Sequence, residues 1–116
     1  MRLVTVLVVA GLAGLAGLLA STPAPAADAP PEVALTIEKN RFSPEEVRVK
    51  AGAPFVLVIA NKDSGAEEFE SKDLRVEKIV PGGKTVRLRM PARKAGTYKF
   101  FGEYHEKTAQ GRIVAE

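Results

Sequence analysis

Residues 98–111, YKFFGEYHEKTAQG, join an aromatic segment to a short polar loop near the end of the chain. Tyr98 and Phe100 are separated by a lysine, and such alternation predicts a strand with one buried face. The loop that follows contains His105, the single histidine of the protein. A lone histidine in a loop is usually just a polar loop residue, so the rest of the chain must decide its role.

The same two-residue period recurs along the chain. Apolar residues alternate with polar or smaller ones in segments 33–37, 47–49 and 86–90, which predicts half-buried antiparallel strands. Segment 54–60, PFVLVIA, is apolar on both faces and predicts a central strand that is covered on both sides.

Turn residues separate these segments at the spacing of a β-sandwich. They are Lys39-Asn40, Ala51-Gly52, Asp63-Ser64-Gly65, Pro81-Gly82-Gly83 and Lys94-Ala95-Gly96. Residues 72–78 are polar and predict a short helical turn or a loop, and no segment after the N-terminal region has an apolar stripe at helical spacing. We therefore predict an all-β fold, a Greek-key sandwich of about seven or eight strands.

The N-terminal region has the order of a secretory signal peptide. Arg2 precedes an uncharged apolar run over residues 3–20, and the small residues Ala24-Pro25-Ala26 follow it. We predict a signal peptide at 1–26, a disordered lead-in at 27–31 and one domain at 32–116. A retained membrane anchor is the alternative, because the run approaches the roughly 20 residues that span a bilayer.

Composition bears on the partners of the protein and on how its fold is stabilised. The chain has 17 Lys and Arg, 14 Asp and Glu and a formal net charge of +3, which falls by one if Arg2 is removed with the signal peptide. This balance does not indicate a nucleic-acid partner. Cysteine is absent, so a small exported domain must be stabilised by its apolar core without disulfides.

Several short motifs resemble the cupredoxin family when they are taken in order. They are NRFSPE at 40–45, VRVKAG at 47–52, Asn61, Pro81-Gly82, GTYKF at 96–100, and Gly111 followed by Ile113 and Val114. This resemblance covers the whole predicted domain and implies a cupredoxin-like sandwich.

The resemblance also indicates where metal ligands would fall. The first ligand histidine of the family corresponds to Glu67, the cysteine to Gly102, the second histidine to His105 and the axial ligand to Gln110. A blue copper centre needs a thiolate and two imidazoles, so two of its three strong ligands are replaced here. We expect no blue electron-transfer centre.

A narrower resemblance suggests iron instead of copper. Glu68-Phe69-Glu70, followed by Glu77 ahead of Pro81-Gly82, is similar to the cupredoxin-like domains of bacterial permease-linked ferrous-iron uptake systems. The resemblance implies a periplasmic protein that binds ferrous iron, assists its oxidation in a ferroxidase-type reaction and delivers it to an iron permease. The cofactor would be an iron or a copper ion, and no membrane insertion is expected after cleavage.

The donor set agrees with a hard metal ion, because carboxylates with one imidazole suit iron or manganese better than cuprous ion. The candidate metal ligands are Glu67, Glu68, Glu70, Glu103, His105 and Gln110. Two alternatives stay open: a non-catalytic copper or iron chaperone, or an adaptor that has lost its metal site.

A basic run is made by Arg87, Arg89, Arg93 and Lys94. It indicates either the solvated face of an edge strand or a docking patch for an acidic partner.

Overall fold

The computed structural model describes residues 29–116, which form nine β-strands and one 3-10 turn. The strands are β1 (Glu32–Glu38), β2 (Arg41–Ser43), β3 (Glu46–Val49), β4 (Phe55–Asn61), β5 (Glu67–Ser71), β6 (Val76–Val80), β7 (Thr85–Met90), β8 (Gly96–Gly102) and β9 (Gln110–Ala115), and the 3-10 turn is Glu103–His105. The all-β prediction is confirmed, and the described residues contain at least one strand more than the predicted seven or eight.

The strands build two sheets that face each other. One sheet has the order β2-β1-β4-β7 and the other the order β3-β9-β8-β5-β6. β1 pairs in parallel with β4, and β3 in parallel with β9, whereas the remaining pairs are antiparallel. Because sequence neighbours such as β2 and β3 lie in different sheets, the chain crosses repeatedly between layers, as in a Greek-key sandwich.

An aromatic cluster lies at the centre of the core. The rings of Phe42 and Phe100 meet edge to face at 5.0 Å between centroids, and Phe69 lies 5.1 Å from Phe100 and 6.0 Å from Phe42. Edge-to-face pairs at these distances add to the stabilisation that comes from burial alone. Buried aliphatic residues from both sheets surround the cluster: Leu35, Ile37, Val47, Leu57, Ile59, Leu74, Val80 and Ile113.

The first predicted turn joins β1 to β2. Lys39 and Asn40 both adopt positive φ angles, 53° and 57°, which is the conformation of a two-residue hairpin loop. Their backbone N–H groups donate to the carboxylate of Asp63 at 2.8 and 3.0 Å. The third predicted turn, which contains Asp63, is thereby hydrogen-bonded to the first.

Two details of the predicted strands were wrong. Segment 72–78 was expected to be a helical turn or a loop. Residues 72–75 do form a turn, but residues 76–78 are the first part of β6, whose outward-facing Ile79 is half exposed and obscures the alternation. The strand predicted at 54–60 lies centrally in its sheet, between β1 and β7, but it is fully buried on one face only. Val56, Val58 and Ala60 on its other face are half-buried, because no further layer among residues 29–116 covers them.

The predicted signal peptide at 1–26 lies outside the described residues, as does the start of the lead-in. Residues 29–31, the described part of that lead-in, have no regular secondary structure. Among the described residues, no helix has the length and apolar character needed to span a bilayer.

Candidate metal site

Strand β5 divides the predicted acidic ligands between two faces of its sheet. Successive side chains of a strand point in opposite directions, so Glu67 and Phe69 face the core, whereas Glu68 and Glu70 face outward. The burial agrees with this geometry: Glu67 is 1% exposed and Phe69 is fully buried, while both outer glutamates are half-buried.

The outward side of β5 carries a cluster of three carboxylates. β5 pairs antiparallel with β8 so that Glu70 lies opposite Phe101, and the chain turns directly after β8 into the 3-10 turn that begins at Glu103. One carboxylate oxygen from each of Glu68, Glu70 and Glu103 lies within 4.8 Å of the others. Three oxygen donors at this separation can coordinate one hard cation.

The negative charges of the carboxylates in this cluster repel one another. A hydrogen bond with Glu103, then loss of hydration and the charges of Glu103, Glu77 and Glu68, raise the pKa of Glu70 from 4.5 to about 7. Loss of hydration, followed by the charge of Glu103, also raises the pKa of Glu68. A bound cation would relieve this repulsion, because a positive charge stabilises the ionised form of each carboxylate.

Two neighbours of the cluster complete its surroundings. Glu77 on β6 lies directly opposite Glu70, and it was not among the candidate ligands. The sequence contains a hint of it, because a short hairpin after Glu70 would return a glutamate to the same face. Tyr104 is 48% exposed, and its pKa is raised by loss of hydration and by the charge of Glu68.

The inward side of β5 carries a different arrangement, a pair made by Glu67 and His105. The Nδ1 atom of His105 lies 2.5 Å from Oε2 of Glu67. The other carboxylate oxygen, Oε1, accepts the backbone N–H groups of Tyr104 at 3.0 Å and Glu68 at 3.1 Å. The buried carboxylate of Glu67 therefore has protein partners at both oxygens.

This interior pair does not fit the copper ion that cupredoxins hold. A side chain at Gly102 would place its Cβ 2.5 Å from Cδ of Glu67 and 2.8 Å from Cβ of Ala109. The carboxylate of Glu67 thus occupies the space that a cysteine at 102 would need. With Nδ1 of His105 also taken by Glu67, and with no cysteine in the chain, no set of soft donors exists here.

Gln110 makes a hydrogen bond to the loop that precedes it. Its Nε2 atom donates to the backbone carbonyl of Glu106 at 2.8 Å, and its side chain is exposed at the start of β9. It borders an open cavity of about 560 Å³ on the outer face of the sheet, together with Lys72, Lys99 and Phe101. The structure therefore brings together Glu68, Glu70 and Glu103 in one group and Glu67 with His105 in another.

The predicted basic run lies on a different part of the molecule. Arg87 and Arg89 project from β7, which is an edge strand of its sheet, and Arg87 pairs with Glu32. Arg93 instead reaches inward and donates to the carbonyl of Leu74 at 3.2 Å. The run is thus not one continuous patch, and its strand portion has the charged side chains typical of a protected sheet edge.

Solved structures with similar folds include copper proteins. Auracyanin A, a "blue" copper protein from Chloroflexus aurantiacus, superimposes with a TM-score of 0.66 at 17% identity, over 76% of this chain and all of that one. Amicyanin from Paracoccus versutus gives 0.59 at 18% identity, over 73% of this chain and 81% of that one. The metal-binding domain of the Cu(I)-exporting P-type ATPase CopA from Streptococcus pneumoniae D39 gives 0.62 at 14% identity, over 73% and 84%. At these identities the likeness defines the class of fold, a cupredoxin sandwich.

The family itself is shown by sequence. The profile of the Cupredoxin-like domain matches residues 10–115, and this chain belongs to that family. It is also similar to protein RP394 of Rickettsia prowazekii (strain Madrid E), with 41% identity over 83 residues. That match covers 72% of this chain and 66% of the relative.

Proposed function

We propose that this chain is an exported, periplasmic cupredoxin-like protein of an iron-uptake system, which binds ferrous iron, assists its oxidation and delivers it to a membrane permease. The observation that supports this function most is the cluster of Glu68, Glu70 and Glu103, with ligand oxygens within 4.8 Å of one another. Carboxylate oxygens are the donors that hard cations such as iron and manganese prefer.

The position of the cluster suits a protein that receives and releases its metal. The cluster lies on the outer face of the sheet, with Glu68 and Glu70 half-buried and Glu103 exposed. An ion can therefore enter and leave without any opening of the core. Oxygen donors stabilise ferric more than ferrous iron, which makes the loss of one electron easier. Each oxidised ion gives one electron, and its acceptor is dioxygen or a membrane redox partner.

Binding is tested by calorimetric titration of the protein with ferrous iron under anaerobic conditions. We expect E70Q to weaken binding by about tenfold or more, which corresponds to about 1.4 kcal/mol. E38Q is the matched control, since Glu38 is an exposed carboxylate at the end of β1 in the opposite sheet. Equal affinity for the wild-type protein and E70Q would exclude this cluster as the iron site.

Oxidation is tested separately from binding. The wild-type protein and E70Q are supplied with ferrous iron in air, with and without copper, and the appearance of ferric iron is followed. A wild-type rate above that of E70Q supports ferroxidase-type activity. Tight binding without faster oxidation would instead support the non-catalytic module, which holds the ion and passes it on.

A further inference from the structure

His105 is attached to the interior through one ring nitrogen only. Nδ1 lies 2.5 Å from Oε2 of the buried Glu67, while the histidine side chain keeps 36% of its surface exposed. Nδ1 and Nε2 lie on opposite sides of an imidazole ring, so a ring that directs Nδ1 into the core directs Nε2 away from it. Any metal ion that uses this histidine must approach Nε2.

The contacts of Glu67 determine where the ring hydrogen lies. Oε1 already accepts two backbone N–H groups, from Glu68 and Tyr104, which leaves Oε2 as the oxygen that accepts a hydrogen bond from the ring. An ionised carboxylate has no hydrogen to donate. The hydrogen between Oε2 and Nδ1 therefore belongs to the imidazole, and the neutral ring has its lone pair on Nε2.

We propose that Glu67 is a positioning residue that holds His105 as its Nδ1–H tautomer, so that Nε2 is the one nitrogen the protein offers to a metal ion, from the surface. Carboxylate–histidine pairs of this type orient the ring of metal-binding histidines and raise their basicity. Glu67, whose position corresponds to a ligand in cupredoxins, thus acts through His105. This inference rests on the contacts of Glu67 and His105 and not on the proposed function, which assigns iron to the outer cluster of Glu68, Glu70 and Glu103.

The substitution E67Q gives a sharp test because the side chain keeps its shape. The two backbone N–H groups select the amide oxygen for the Oε1 position, so the amide NH₂ group faces Nδ1 of His105. Nδ1 must then accept a hydrogen bond, and the neutral ring is forced to its Nε2–H tautomer. E106Q is the matched control, since it removes the same charge beside His105 without contacting Nδ1.

The tautomer is read from the ring ¹⁵N chemical shifts of the metal-free protein, at a pH where titration of those signals shows a neutral imidazole. We expect the Nδ1–H form in the wild-type protein and E106Q, and the Nε2–H form in E67Q. A wild-type ring in the Nε2–H form would overturn the proposal without any variant. An unchanged tautomer in a folded E67Q would overturn it as well.

A second arm uses Zn²⁺ alone as the probe, because it suits imidazole and has no redox chemistry. We expect Zn²⁺ to shift the Nε2 signal of the wild-type protein, and E67Q to weaken that response by about tenfold. An Nδ1 response in the wild-type protein would contradict the proposal. If the tautomers are as expected but ferrous iron does not bind, the proposed function fails while this inference stands.

Discussion

The carboxylate of Glu67 and the bare backbone of Gly102 are complementary in shape. A Cβ atom built on Gly102 would lie 2.5 Å from Cδ and 2.7 Å from Oε1 of Glu67, closer than non-bonded atoms approach. A glutamate that fills this space therefore requires a glycine at 102, and a cysteine there would have no space while Glu67 is in place.

Gly102→Ala should destabilise the fold, because its methyl group has no space between Glu67 and Ala109. We expect a loss of about 1–3 kcal/mol in the free energy of unfolding, as for other overpacked cores, measured by urea denaturation. Gly65→Ala is the control, since nothing lies within 4 Å of a Cβ there.

The same clash predicts coupling between the two positions. Glu67→Ala alone removes the partner of His105 and of two backbone N–H groups, so it is costly by itself. In the double variant Glu67→Ala/Gly102→Ala, however, the new methyl group at 102 enters the space that the Glu67 side chain has left. The loss in the free energy of unfolding of the double variant should be smaller than the sum of the two single losses by about 1 kcal/mol or more. Strict additivity would show that Glu67 is not what fills the space at 102.

Stability should depend on pH through the outer cluster. The pKa of Glu70 is raised from 4.5 to about 7, first by its hydrogen bond with Glu103, so the folded state binds a proton that the unfolded state has released. Between these values the unfolded state holds fewer protons, and stability falls as pH rises. The urea midpoint should therefore decrease from about pH 5 to about pH 8.

Glu70→Gln isolates this effect, because the amide cannot ionise. The variant should lose most of the decrease and be more stable than the wild-type protein at the upper end of the range. E38Q should keep the wild-type profile. Ferrous iron should act in the opposite direction and stabilise the protein most above the pKa of Glu70, where the carboxylate is free to bind. A wild-type profile for E70Q would disprove this origin of the pH dependence.

Phe69 should be among the most sensitive core positions, because it is fully buried and contacts the rings of Phe42 and Phe100. We expect Phe69→Ala to cost about 3–5 kcal/mol in thermal or urea denaturation. Ile79→Ala on the neighbouring β6 should change stability by no more than about 0.5 kcal/mol, because that side chain is 51% exposed. Similar losses for the two variants would contradict the assigned core.

Asn61 should be needed for the loop that leads into β5. Its Nδ2 donates to the carbonyls of Gly65 and Val80 at 2.9 and 3.0 Å, and its Oδ1 accepts the N–H of Asp63 at 3.0 Å. We expect Asn61→Ala to cost about 1–3 kcal/mol. Asn61→Asp should cost more, because a carboxylate would then face two carbonyl oxygens.

Thermal denaturation checks this order, with Lys62→Ala as the control at the next, exposed position. An aspartate variant as stable as the wild-type protein would mean that the two carbonyl contacts contribute nothing.

Much of the sandwich was predictable because local alternation reports which strands have one buried face. The segments at 33–37, 47–49 and 86–90 all lie in strands. Their predicted antiparallel pairing was partly wrong, because β3 pairs in parallel with β9 and β1 pairs in parallel with β4. β6 was missed for a physical reason. It is an edge strand with an apolar residue, Ile79, on its exposed face and a polar residue, Lys78, on its inner face, so apolar and polar residues do not alternate along it. β2 has only three residues, too few for any period to be visible.

Glu68, Glu70 and Glu103 could be named from the sequence, but the way they come together could not be predicted from it. The outward projection of Glu68 and Glu70 follows from the alternation around Phe69. The approach of Glu103 to them depends on the pairing of β5 with β8, which are distant in sequence. The same alternation places Glu67 on the inner face, but its contact with His105 depends on the pairing of β5 with β8 and could not be predicted locally.

The alternation of β5 has a consequence for insertions and deletions. Glu67 and Glu68 are adjacent in the chain, yet one is sealed in the core and the other is at the surface. A one-residue slip of this strand would exchange them, and it would also bring Phe69 into water. Relatives should therefore vary the residues of the 62–66 loop other than Asp63. They should keep the number of residues between Asn61, the end of β4, and Phe69 unchanged. Chain length at this point would be under stricter selection than any of the loop side chains beyond Asp63.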